Sequence, residues 1–399
     1  MKTGEEIGYS GLQNLLANSD FDYIAVALTP WHAFGVVGAV KEMERKVNRN
    51  LNGIVLISKN PKEEYLINSD YFDLLNASCF FFYGNRNGIQ MVGMELDTAI
   101  YSLLKCGYTN RPDFYIFAHN RPPIYLMSFV DKALKVKRRI VSVLCDEGIG
   151  SYTDTGKERI LQFKHAGASV LKLWKHYFEE YLLVPRATEQ LKSSDRATDL
   201  CLFYKDEHGD LIMREGVVNG TASAIGHYAN SNCLSLPTIS DEYVLINTQA
   251  FLGGEIDDVS KVDELWKELI RYLLEQKIDV WIKPHPREVD VEKYKLMGAH
   301  LIECKGVAQE VLLMKIKKPM VVISLYSTTL ISAPIINGVP SISITRIIDK
   351  MECSTDIYRT YSERFYTLFK RYSCFIESIN EFKECIARRK FKCFIAKNV

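Results

Sequence analysis

The sequence predicts an α/β protein made of two doubly wound, Rossmann-like domains that face a central cleft. Three observations predict it. The chain has 399 residues, more than one ordinary core accommodates, so two domains are expected. Short, continuously apolar, β-rich runs recur along it, as in strands covered on both faces. Longer stretches of helical period lie between these runs, which gives the βαβ rhythm of a parallel sheet.

In chain order, YIAVAL (23–28), GIVLIS (53–58), CFFFY (79–83), FYIFA (114–118) and RIVSVLC (139–145) read as strands of the first domain, with helices at 33–46, 91–106 and 122–135. Residues 160–183 are amphipathic and read as helical, and 199–213 reads as a hairpin turning at His208-Gly209. The run 219–242 is polar and turn-rich, so the interdomain linker is expected there. YVLIN (243–247), IDVWIK (278–283), AHLIE (299–303), PMVVIS (319–324) and PSISI (340–344) read as strands of the second domain, with helices at 259–277, 306–317 and 327–337. The expected domains are 1–238 and 239–378. A helical tail, 379–399, has two options: packing back on the first domain, or resting on an anionic membrane surface through Arg388, Arg389, Lys390, Lys392 and Lys397. Two α/β domains with a linker and a helical tail make the GT-B plan, which by itself does not give function.

Composition narrows the classes. Lys and Arg number 50 against 49 Asp and Glu, a net charge of +1, so the basic excess of a nucleic-acid binder is missing. The 10 cysteines are scattered without metal-ligand spacing and read as buried thiols of a reducing cytosol. The opening MKTGEEIGYSG lacks the apolar core of a signal peptide, and no run approaches ~18 apolar residues. The expected location is cytoplasmic, with peripheral contact to an inner membrane left open.

Five segments carry chemistry. Asp146-Glu147-Gly148 directly follows a strand, where carboxylates face the ligand crevice and one of the pair can take a proton from an attacking hydroxyl; an ordinary acidic turn is the alternative. In Lys283-Pro284-His285-Pro286-Arg287-Glu288, prolines on both sides of His285 fix the imidazole, which suits a donor to a phosphate leaving group. Ser327, Thr328 and Thr329 stand between a strand and a helix, where hydroxyls and N–H groups make an anion site and Ser327 also caps the helix. Asn247-Thr248-Gln249 opens the second domain, placed to touch a phosphate or sugar. Trp31 and His32 follow the first strand and either meet an acceptor or serve the start of the helix. Asp20-Phe21-Asp22 reads as a surface turn and Asp257-Asp258 as a helix start, so neither reads as a metal motif.

In order and at strand ends, Asp146-Glu147-Gly148, His285-Pro286 and Ser327-Thr328 resemble the D/E-D/E-G, HP and S-S/T motifs of bacterial sialyltransferases. The fuller strings KPHPRE and SLYSTTLISAP resemble the capsular polysialyltransferases. The resemblance rests on short pieces between about 140 and 335. It implies an inverting transfer of sialic acid from CMP-sialic acid to a sialylated glycan, elongating α2,8-linked polysialic acid, with no metal or other cofactor. It implies Glu147 as general base with Asp146 in reserve, and His285 as donor to the departing phosphate. Ser327, Thr328 and Thr329 would hold that phosphate, helped by Lys283, Pro284, Asn247, Thr248 and Gln249. The anionic acceptor would meet Trp31, His32 and Gly148. Cations for it are sought at Arg86, Arg121 and the run Lys132, Lys135, Lys137, Arg138 and Arg139, each of which also reads as plain surface. Capsule-assembly proteins and the membrane surface are the further candidate partners. Alternatives remain: a mono-sialyltransferase acting on lipooligosaccharide galactose, a CDP-alditol phosphotransferase (where Leu325 stands here, those carry Asp), and a non-enzymatic sugar-nucleotide-binding subunit of a capsule complex.

Overall fold

The structure, a computed structural model, describes residues 5–58, 67–82, 112–119, 138–146, 148, 169–171, 197–208, 210–232, 236–251, 254–285, 287–304, 306–389 and 391. It divides into two compact units. The first holds the described residues up to Gly148 and those of 197–228; the second holds 169–171 and those from 229 onward.

The first unit is built on a seven-stranded sheet in the order β1 (Glu5–Glu6), β4 (Asn76–Phe82), β3 (Asn52–Ser58), β2 (Tyr23–Ala27), β5 (Phe114–His119), β6 (Ile140–Cys145), β7 (Ala197–Leu200), with every pair parallel. Strands β2 and β5 are buried along their whole length, which explains their unbroken apolar sequence. Chain order runs outward from β2 through β3 to β4, then restarts on the other side at β5. The β2/β5 boundary is therefore a topological switch point, where open α/β sheets bind ligands. Helix Pro30–Val47 starts there. Thr29 caps it by accepting the His32 N–H at 3.3 Å, Pro30 occupies its first turn, and Asn48 ends it in the left-handed conformation.

The linker expected at 219–242 is corrected over its first half, since Glu215–Ser231 is an α-helix. Its small residues seat it against helix Pro30–Val47. A Cβ on Gly38 would lie 2.2 Å from Thr221 Oγ1 and 2.8 Å from the Val217 carbonyl oxygen, so only glycine permits this crossing. The expected hairpin is present as β8 (Phe203–Lys205) and β9 (Leu211–Met213), antiparallel, and the segment just before it joins the main sheet as β7. The helices expected at 91–106 and 122–135, and most of 160–183, lie outside the described residues.

Two readings of charge are also corrected. Asp22 is not a surface-turn residue. It accepts both guanidinium arms of Arg49 at 2.8 and 2.9 Å and the Asn52 N–H at 3.0 Å, and these partners hold its carboxyl below the usual range against the opposing effect of burial. Arg138, 5% exposed, donates to the Phe21, Pro112 and Asp113 carbonyl oxygens and to Asp22, while Arg139 forks onto the Asp113 carboxylate. Both arginines staple the sheet ends and are not cations on offer to an acceptor.

The second unit has a six-stranded parallel sheet in the order β12 (His300–Leu301), β11 (Asp279–Lys283), β10 (Tyr243–Asn247), β13 (Val322–Ser324), β14 (Ser341–Ser343), β15 (Cys374–Phe375). This is the Rossmann order, with the switch point between β10 and β13. Side chains alternate along β10: Val244 and Ile246 enter a core with helix Val259–Glu275, and Tyr243 and Leu245 one with helix Gln309–Lys315. Asp258 caps helix Val259–Glu275 by accepting the Ser260 N–H at 3.0 Å. The tail helix, Ile379–Arg388, belongs to this unit's own core through Phe382 and Ile386. Its described cations have acidic partners: Lys383 with Glu268, Arg388 with Glu384, Arg389 with Glu242. Lys390, Lys392 and Lys397 lie outside the described residues. No described helix is long and apolar enough to cross a membrane, and no disulfide joins any described cysteine.

Candidate functional site

In the first unit, residues from three strand ends gather at the switch point. Asp146, immediately after β6, is 1% exposed. Its Oδ1 accepts the Trp31 indole N–H at 3.0 Å and the Gly148 N–H at 2.6 Å, and its Oδ2 accepts the Leu202 N–H at 3.3 Å. Burial pushes the carboxyl up to about 6, with these three donors opposing the rise. Gly148 sits at φ 100, a conformation open to glycine, so the chain can double back on the carboxylate. Gly35 lets helix Pro30–Val47 close on the same turn: a Cβ there would stand 3.1 Å from the Asp146 carbonyl oxygen. Asp146 is thus a brace for the turn, enclosed by protein donors.

His32 is turned inward. Its ring stacks on His119, the last residue of β5, at 4.0 Å and 20°. Burial holds His32 well below the usual histidine range and brings His119 down to about 4. The His119 Nδ1 lies 3.1 Å from the Asp146 carbonyl oxygen, which can only accept, so that nitrogen carries the proton. Neither His119 Nε2 nor His32 Nδ1 has a hydrogen-bond partner among the described residues. His119 was not singled out from sequence, although a histidine closing an apolar strand next to β2 was a usable signal. Glu147, Arg86, Arg121, Lys132, Lys135 and Lys137 lie outside the described residues.

In the second unit, the ends of β11, β10 and β13 carry the remaining candidates. Asn247 and Lys283 are register partners on adjacent strands, and the Ser324 hydroxyl donates to the Asn247 carbonyl oxygen at 2.8 Å, tying β13 to β10 at the switch point. The Asn247 amide is 7% exposed, yet neither of its side-chain atoms has a hydrogen-bond partner among the described residues. A buried, unsatisfied amide costs about 1–3 kcal/mol. Lys283 is half-buried. Burial lowers its pKa, and the charge of Glu310, at the start of helix Gln309–Lys315, works against that fall. Glu310 accepts from the Ser332 hydroxyl, and Asn337 Nδ2 donates to its carbonyl oxygen at 3.1 Å, so the acid ties Gln309–Lys315 to the helical run Thr329–Asn337. The last five residues of that run are π-helical, a form that tends to occur at functional sites.

His285 is half-buried, and burial followed by the charges of Arg287 and Lys283 pushes its pKa down to about 4. Its Nδ1 accepts the Arg287 main-chain N–H at 3.2 Å, so the neutral ring carries its proton on Nε2. Pro284 is half-buried beside it, and Pro286 lies outside the described residues. Thr248 has a different place from the one expected: at 3% exposure its hydroxyl accepts the His285 N–H at 3.0 Å and donates to Glu288. It serves the loop from within. Gln249 lines a cavity of about 200 Å³ behind the loop with Phe251, Trp266, Arg287 and Tyr294. Ser327 and Thr328 are half-buried, and Thr329 is buried; Ser327 Oγ donates to Thr329 Oγ1 at 3.1 Å and accepts the Thr329 N–H at 3.3 Å, combining capping with an accessible hydroxyl. Tyr326 steadies this turn by donating to Glu255 at 3.0 Å. Glu288 and Glu255 were missed as contributors, since nothing in a linear string says which acid folds back under a loop.

A family model described as alpha-2,8-polysialyltransferase matches residues 24–346. No curated protein matches the chain. Solved structures similar to it include a UDP-GlcNAc 2-epimerase from Methanocaldococcus jannaschii (12% identity, 93% of this chain and 92% of that one, TM-score 0.46). Another is the E. coli heptosyltransferase WaaC with ADP-2-deoxy-2-fluoro heptose (11%, 81% and 88%, 0.40). A third is the GT-B domain of a sialyltransferase from Photobacterium damselae (12%, 87% and 96%, 0.37).

Proposed function

The chain belongs to the alpha-2,8-polysialyltransferase family, glycosyltransferases that move sialic acid from a nucleotide sugar to a glycan, and we propose that it uses CMP-sialic acid to elongate an α2,8-linked sialyl chain by an inverting, metal-independent displacement. Glu147 takes the proton of an acceptor hydroxyl, the new bond forms at the sialyl anomeric carbon, and the bond to the CMP phosphate breaks on the opposite side. The leaving CMP carries a single phosphate. A neutral imidazole N–H, the hydroxyls and N–H groups of Ser327, Thr328 and Thr329, and the Lys283 charge suit its stabilisation without a divalent ion. Asn247 supplies an unsatisfied amide to the donor, with Gln249 and Pro284 flanking. Trp31, half-buried, marks the acceptor edge, while His32 and Gly148 are buried and support it from within, and Arg86 and Arg121 supply cations. Asp146 holds the Gly148 main chain in place. A cytoplasmic site of action, next to the inner membrane and capsule-assembly proteins, is part of the same proposal.

The observation that carries this reading is the fixed tautomer of His285. A ring whose Nδ1 is occupied by a main-chain N–H can only offer Nε2–H, a donor for a developing phosphate charge. The test is incubation with CMP-sialic acid and an α2,8-linked sialyl trimer in the presence of EDTA. Elongation with CMP release is expected. CMP release with lactose alone would favour single addition to galactose. No CMP release with any sialylated or galactosylated acceptor would remove the proposal.

A further inference from the structure

The loop bearing His285 is held by a carboxylate three residues downstream. The Glu288 side chain, 10% exposed, receives three donors: the Thr248 hydroxyl on Oε2, the Tyr294 hydroxyl on Oε1 at 2.6 Å, and the Lys293 ammonium 3.3 Å from Oε1. Lys293 is also bonded to Asp263 at 2.8 Å, so its charge keeps a partner independent of Glu288. An ionised carboxylate has no hydrogen to give, so the Thr248 hydroxyl must direct its proton toward Glu288. The Thr248 oxygen is thereby left to accept the main-chain N–H of His285. From the other side, the Glu288 N–H bonds the His285 carbonyl oxygen at 2.9 Å, and the Arg287 N–H occupies Nδ1. The charge of Glu288 thus sets the direction of the bonds running from Thr248 to the His285 backbone.

We propose that Glu288 is a positioning residue for sialyl transfer, acting through Thr248 to fix the His285 backbone and hence the direction in which Nε2–H is offered to the leaving phosphate. This rests on the role given to His285 above. Glutamine at 288 would keep the shape, but its NH2 group cannot accept. The Lys293 ammonium lies on the Oε1 side and would keep the amide oxygen there, so the NH2 group would face Thr248, whose hydroxyl would lose its acceptor and its orientation.

The experiment measures kcat, KM for CMP-sialic acid and thermal melting of the full chain. The variants are Glu288→Gln, Thr248→Val, Thr248→Ser, His285→Ala, and His285→Ala combined with Glu288→Gln. Glu288→Gln and Thr248→Val should each lower kcat about 10- to 100-fold while donor KM stays within about threefold, the loss expected of a misplaced donor. Thr248→Ser, which keeps the hydroxyl, should restore most of the rate. The double variant should be no slower than His285→Ala alone, because a residue that works through an imidazole has nothing to act on once the ring is gone. Losses that multiply in the double variant would overturn the proposal. So would an unchanged kcat in Glu288→Gln and Thr248→Val beside an inactive His285→Ala. Parent turnover in His285→Ala would instead sink the role of His285, and that of Glu288 with it. If Glu288→Gln does not fold, the Thr248→Val and Thr248→Ser pair decides alone.

Discussion

Replacing Trp31 with Phe removes one N–H donor from Asp146 while keeping an aromatic ring. In the parent, burial lifts the Asp146 carboxyl from its ordinary 3.8 to about 6, so the folded protein binds that proton more tightly than the unfolded chain does. Stability is therefore undiminished below about pH 4, falls as pH rises to about 6, and stays lower above it by about 3 kcal/mol. A hydrogen bond to a charged group contributes about 1.5–3 kcal/mol, so losing the 3.0 Å bond from Trp31 should raise the folded-state pKa further. The gap between variant and parent then depends on pH. At pH 5 the carboxyl is protonated in both folded forms, and the cost of trimming the ring remains, about 1 kcal/mol. At pH 8.5 the gap should widen by about 1.5–3 kcal/mol. Urea denaturation of both proteins at the two pH values, followed by circular dichroism, measures it. A gap of the same size at both would refute the claim that Trp31 donates to an ionised, buried carboxylate.

Two further outcomes follow from the second unit. Because the His285 pKa is depressed to about 4, the ring is already neutral in the unliganded enzyme near neutrality; its contribution to folding stability is lost as pH falls from 6.5 toward 4, and kcat/KM should not decline between pH 6 and 8 on its account. A decline centred near pH 6.5 that vanishes in His285→Gln would show that the protonated ring is required. Asn247→Ala should leave the melting temperature unchanged or raised, since the amide has no hydrogen-bond partner among the described residues, while CMP affinity measured by calorimetry falls about tenfold; a loss of stability with unchanged CMP affinity would contradict its assignment to the donor.

Strands were legible because their burial on both faces demands continuous apolar runs: YVLIN became β10 residue for residue, and RIVSVLC became Ile140–Cys145 within one residue. The helix at 215–231 was hidden because Gly216, Gly220 and the neighbouring Ser and Thr are poor helix formers in isolation. The favourable term is the close crossing with Gly38, a tertiary contact that composition does not report. At the site, the sequence set Asp146, His285, Asn247 and Ser327 at or just beyond strand ends, and the structure has them there. Strand-end position did not separate the exposed from the enclosed. Asp146 and Thr248 carry the right groups at the right ends, but the partners that seal them, a donor on Leu202 and an acceptor on Glu288, lie fifty-six and forty residues away. Charge was read least well, for a cluster of basic letters says nothing about which carboxylates and carbonyls fold onto it.

The Arg138 guanidinium is committed to three carbonyl oxygens and one carboxylate, and it lies over the Phe114 ring. A growing anionic polymer could recruit it only by unpicking the chain around 21–22 and 112–113. Added salt, which screens exposed charges within about 10 Å at 0.1 M, should leave this clamp intact while loosening product from the protein surface. Ionic strength is therefore a lever on product grip that does not touch the architecture.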